Sequence, residues 1–224
     1  MSTRLFRILI ALSGIVGVVM LITSFAINPG PPAGTTLAQL IAFGTEHGTA
    51  IRLGAWLQAV SPCLIVLFAF GVVHLAGATA RLAGWMTLFG GVVLVMVSLV
   101  EVAFYLSAVN GNPATTSLVS LDFIHAVQTE YSMVAAPLLF LPLGMIIVSS
   151  RVLPRVFGYL AFVIGALFVI LGLPVLFVPS IQAVVDVLSI IQGVWWLLAA
   201  VVLLILAGKQ SAVTAIQGSE RVSA

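Results

Sequence analysis

The chain has 224 residues, 62% of them hydrophobic and 6% charged, with a formal net charge of +2. A water-soluble domain carries about 25% charged residues, so this composition excludes a soluble globular protein and makes the bilayer part of its solvent. The basic residues are scattered, which argues against a nucleic-acid surface, and the single cysteine, Cys63, excludes an internal disulfide and any CxxC redox or zinc pair.

A membrane-spanning helix needs about 20 apolar residues at about 1.5 Å each. Six stretches meet that length, at about 8–27, 53–76, 82–108, 120–149, 156–178 and 182–208. Backbone groups in hydrocarbon must bond within their own segment, so each stretch is expected to be a helix. The predicted fold class is therefore all-α. It is a polytopic bundle of six transmembrane helices forming one domain over 1–208, with a polar tail at 209–224 expected to be disordered.

The first stretch follows Arg4 and Arg7, as a signal peptide would. Its apolar run is longer than the 7–15 residues usual in a signal sequence, so it is read as a retained span. Asn28-Pro29-Gly30-Pro31-Pro32 ends it, because consecutive prolines remove donors and forbid continuation. Residues 35–50 then place Leu37, Leu40 and Ile41 at helical spacing among Gln39, Thr45, Glu46 and His47. That pattern predicts a short amphipathic helix on the outer surface, interrupted by Gly44 and Gly48.

The second span carries Arg52 at its entrance and Pro62 inside. The turn at 77–81 permits only an antiparallel return. The third contains Gly90-Gly91, then Glu101 and Tyr105 toward its end, and Asn110-Gly111-Asn112-Pro113 reads as a turn. Span four holds Pro137 and Pro142, which predict a kink. A basic turn at 149–155 precedes span five, which ends at Pro174 and Pro179. Span six carries Gln182, Asp186, Gln192 and the Trp195-Trp196 pair. With the N-terminus inside, Arg4, Arg7, Arg81, Arg151, Arg155, Lys209 and Arg221 are cytoplasmic and Arg52 alone is outside. This asymmetry predicts cytoplasmic N- and C-termini.

Three features together resemble a large set of uncharacterised bacterial six-span membrane proteins of the domain-of-unknown-function type. They are the proline-rich stop after span one, Glu46-His47-Gly48 running into span two, and Leu153-Pro154-Arg155-Val156-Phe157-Gly158-Tyr159-Leu160 opening span five. The likeness covers most of the chain. It implies a multi-pass protein of the bacterial plasma (inner) membrane and brings no activity with it.

The densest run of hydrogen-bonding side chains is Ser120 to Tyr131. Counting about 20 residues outward from Arg81, Arg151 and Lys209 reaches the outer boundary near Glu101, Tyr131 and Leu188. Glu101, Glu130 and Asp186 then share a depth, with Arg52, Asp122 and His125 at or above it. Helical spacing makes stripes of Ser98, Glu101 and Tyr105; of Asp122, His125, Thr129 and Ser132; and of Gln182, Asp186 and Ser189. The expectation is an outward-facing polar vestibule with Arg52 available for a salt bridge. Its speculative ligand-binding residues are Arg52, Glu101, Tyr105, Asp122, His125, Glu130 and Asp186. The competing reading is that these charges are solvated helix ends, with Asp122 favouring the positive end of its helix.

Asp122 and His125 resemble a metal pair that Glu101, Asp186 or His47 would complete, but no spacing fixes such a geometry. His74 lies near the inner end of span two, away from the other histidines, which argues against two-histidine haem ligation. No phosphate loop is present. No cofactor or metal is expected, and no activated nucleophile is recognisable. The partners expected are the lipid bilayer and a small-molecule ligand at the outer face. Three functions fit: a non-enzymatic membrane protein with an outer polar pocket, a substrate-binding or transport component, and a membrane enzyme acting on lipid with His125 as base.

Overall fold

The computed structural model describes residues 3–28, 36–110 and 113–222, leaving out the side chains at 113–118, 121, 125, 179 and 210–222. The proline-rich stop at 29–32 and the turn residues 111–112 fall outside the described residues. Seven α-helices follow in order: α1 (Thr3–Ile27), α2 (Leu37–Leu75), α3 (Leu82–Asn110), α4 (Pro113–Glu130), α5 (Ala136–Ser150), α6 (Arg155–Gly172) and α7 (Gln182–Val222). A π turn, Tyr131–Ala135, joins α4 to α5 without interrupting them, so the two form one continuous span. There is no strand among the described residues. Six helical segments are long and apolar enough to cross a membrane, as the all-α reading requires.

The segment expected to lie as a separate amphipathic helix at 35–50 is helical from Leu37 on but not separate. It is the first part of α2, which runs unbroken for 39 residues, about 58 Å against a hydrocarbon core of about 30 Å. Its start is fixed by a capping box: the Thr36 hydroxyl accepts from the Gln39 backbone N–H at 3.4 Å, while the Thr36 N–H donates to Gln39 Oε1 at 2.9 Å. Gly44 and Gly48 weaken helix propensity but remove no backbone donor, so the ladder continues. Gly48 is buried, and a Cβ added there would lie 3.4 Å from Val109 of α3. Packing thus holds what propensity alone would loosen.

α2 ends in a Schellman motif, with Gly77 N–H donating to His74 O at 2.9 Å and Ala78 N–H to Val73 O at 3.0 Å. Gly77 sits at φ 62, a conformation only glycine takes without strain. α6 stops before Pro174 and Pro179, each opening a short 3₁₀ turn.

In cross-section the helices make a closed ring of neighbours. α1 packs on α2, α2 on α3, α3 on α5, α5 on α6, α6 on α7, and α7 back on α1, with α4 lying against α3 and α2. An aromatic core binds α2, α5 and α7. Phe140 lies 5.3 Å from Trp195 and 5.0 Å from Trp196, and Phe68 meets Trp196 edge-on at 5.9 Å. The Trp195 indole donates to Phe157 O at 3.0 Å, so both tryptophans serve as packing residues.

Candidate functional site

The polar centre of the molecule begins with a missing donor. Pro62 has no N–H, which leaves the Gln58 carbonyl one turn earlier without its helical partner. Ser98 of α3 supplies the replacement, its hydroxyl donating to Gln58 O at 2.9 Å. This bond ties α3 to α2 at one height. Glu101, one turn further along α3, thereby faces the Gln58 side chain.

Glu101 is 7% exposed and Gln58 3% exposed. Gln58 Nε2 donates to Glu101 Oε2 at 2.6 Å. From the other side, Gln128 Nε2 of α4 donates to Glu101 Oε1 at 2.7 Å. One carboxyl group is thus held by two amides from two further helices, each oxygen taking one bond. Charge-assisted bonds of this kind are about twice as strong as neutral ones. They offset part of the cost of burying the carboxyl group, which is several kcal/mol for an ion. Two side-chain oxygens of α2 are buried here and take no hydrogen bond: Gln58 Oε1, on the amide that donates to Glu101, and Ser61 Oγ. Ser61 is fully buried and shares a face of α2 with Gln58, three residues on.

The π turn begins three residues after Gln128. It packs against α3 and α6, and such turns insert one extra residue into a helix. Tyr131, its first residue, accepts a hydrogen bond from the Gln192 side chain of α7 and meets Phe168 edge-on at 5.9 Å.

Of the residues singled out in the sequence, Glu101 is the buried centre, and Tyr105 stands half-buried one turn along the same helix. The others are not gathered around it. Arg52 is exposed, and its Nε donates to Asn110 Oδ1 at 3.1 Å, not to a carboxylate. Asp122 and Glu130 are exposed on α4. The buried side of α4 is taken by Ser120, Ile124 and Val127, so Asp122 turns away from it. His125 lies on α4, but its side chain is outside the described residues. Asp186 is exposed on α7 and accepts from Gln182 Nε2 at 2.8 Å. α7 neighbours α1 and α6 whereas α3 neighbours α2, α4 and α5, so the two acidic stripes sit on different sides of the ring. His47 packs on Phe43 and His74 on Phe6. Among the described residues no three His, Cys, Asp or Glu side chains lie close enough to hold a metal ion.

Gln58 and Gln128 are the partners the sequence did not single out. A trace of each was present. Gln58 is the lone amide inside an otherwise apolar span, one turn before a proline. Gln128 lies in the polar run that opens span four, off the stripe drawn through Asp122.

The fold and this centre define a class: a multi-pass α-helical membrane protein with one carboxyl group buried among three helices. Residues 5–207 match the family described as a domain of unknown function (DUF4386), and the chain belongs to that family. Neither a curated protein nor a solved structure matched it.

Proposed function

We propose that this protein is a non-enzymatic protein of the bacterial plasma membrane whose Glu101 centre binds a small ligand arriving from the outer face. The observation that carries the reading is the double amide clamp on Glu101. An intramembrane carboxyl group is expensive to bury, and its retention among three helices favours a functional role over a packing one. The bonds around it are carboxyl to amide and hydroxyl to carbonyl, a set that recognises polar groups without supplying a nucleophile. The outer location is supported by the charges. Arg4, Arg7, Arg81, Arg151, Arg155 and Lys209 fall at one end of the spans, and Arg52 falls toward the other, where Glu101 also lies.

The test is thermal unfolding of the purified protein in mild detergent against a panel of small polar solutes at constant salt. A solute that raises the midpoint of the wild type but not of Glu101→Gln supports the reading. A panel that shifts neither protein, or both equally, counts against it.

A second reading, a transport component, draws on the two helix irregularities beside Glu101. Pro62 opens a gap in α2, and the π turn follows Gln128, so both helices that clamp the carboxyl group have a place to bend. Uptake of the identified solute should then fall in a deletion strain; unchanged uptake removes the transport role and leaves the binding role standing.

A further inference from the structure

We propose that Glu101, Gln58 Oε1 and the Ser61 hydroxyl form a site for one monovalent alkali-metal cation within the membrane. The inference rests on the reading of Glu101 as a binding centre and names the class of ligand.

Glu101 presents two carboxyl oxygens, the amide bonded to it carries Gln58 Oε1, and Ser61 Oγ lies three residues along the same face of α2. Gln58 Oε1 and Ser61 Oγ are buried without a hydrogen-bond partner, in residues 3% and 0% exposed. A buried acceptor left unpaired costs about 1–3 kcal/mol. Two such acceptors lie on one face of α2, one of them on the amide bonded to the buried Glu101 carboxyl group, and both carry that cost unless something binds them. All are hard oxygen donors, which suit alkali and alkaline-earth cations and not the softer transition metals.

The two amide donors stabilise a carboxylate by their dipoles but cancel none of its charge. One monovalent cation makes the site neutral. A divalent cation would leave a net positive charge in a medium where an isolated ion is very costly.

From Leu82 to Glu101 the helical rise is about 28 Å, and from Leu75 back to Gln58 about 26 Å. Both groups thus lie near the far boundary of the bilayer, beneath the helical projections of α2 and α4. Pro62 also takes away the N–H that would hold the Gln58 carbonyl. That carbonyl accepts from the Ser98 hydroxyl instead, and carbonyls of interrupted membrane helices are the groups that coordinate Na⁺.

The experiment is equilibrium binding of ²²Na⁺ to the full-length protein in mild detergent, in N-methylglucamine chloride, with unlabelled Na⁺ or K⁺ as competitor. The wild type should bind saturably, and Glu101→Gln should weaken binding by about tenfold or more. Ser61→Ala keeps the test valid if Glu101→Gln fails to fold. It removes an unpaired buried hydroxyl, so in N-methylglucamine it should melt at or above the wild-type temperature while binding Na⁺ more weakly. A purely structural Ser61 would not separate those two readouts. Absence of saturable ²²Na⁺ binding, or the same isotherm in wild type and Glu101→Gln, overturns the cation assignment. If an organic solute still protects the wild type alone, only the cation is wrong; if nothing protects it, the binding centre falls as well.

Discussion

Ser98 shows how one side chain can be assigned a cause. Its hydroxyl fills the gap that Pro62 leaves at the Gln58 carbonyl, at 2.9 Å. Ser98→Ala should therefore cost about 1 kcal/mol in the wild type. In a Pro62→Ala background, where the helical N–H is restored, the same change should cost close to nothing. Unfolding of the four proteins in mild detergent gives this double-mutant cycle directly; equal costs in both backgrounds would sever Ser98 from Pro62. Gly90 makes a parallel case. Pro142 frees the Leu138 carbonyl, and a Cβ on Gly90 would lie 2.7 Å from that oxygen. Gly90→Val should thus push α3 off α5 and destabilise by about 1–3 kcal/mol, read as a lower melting temperature. At this scale Glu101 was legible in the sequence, because a lone carboxylate in an apolar run stands out. Its partners were not, because Gln58 and Gln128 become neighbours only through the order in which α2, α3 and α4 pack.

The elements were legible where composition decides them and less so where packing does. Six apolar runs read as six spans because backbone in hydrocarbon has no alternative to the helix. The continuity of α2 was obscured by Gly44 and Gly48, of which Gly48 packs against Val109 of α3 and Gly44 leaves the backbone ladder intact. Spin labels at the exposed positions Ala42 and Leu67, in a Cys63→Ala background, check this. A continuous α2 predicts a separation of about 37 Å; a segment lying flat on the membrane and hinging near Ala50 predicts about 28 Å. The shorter distance would restore the separate surface helix. A kink in span four was expected from Pro137 and Pro142; the irregularity observed is a π turn at Tyr131–Ala135, which packs against α3 and α6 and has no sequence signature.

For the whole molecule, the ring order of helices decides which charges can act together. Three stripes at one depth suggested a single vestibule, yet depth alone says nothing about angular position. The ring places Asp186 on α7, beside α1 and α6, and Glu101 on α3, beside α2, α4 and α5. Two independent sites should give additive effects. The destabilisation of Glu101→Gln/Asp186→Asn should equal the sum of the single changes to within about 0.5 kcal/mol; a larger coupling would mean that the stripes meet.

Native mass spectrometry of the protein released from mild detergent tests the central claim most directly, comparing wild type, Glu101→Gln and Asp186→Asn. The account predicts a discrete added mass on the wild type and on Asp186→Asn that is lost from Glu101→Gln. The same mass on all three proteins, or its loss from Asp186→Asn alone, would contradict a binding centre built on Glu101.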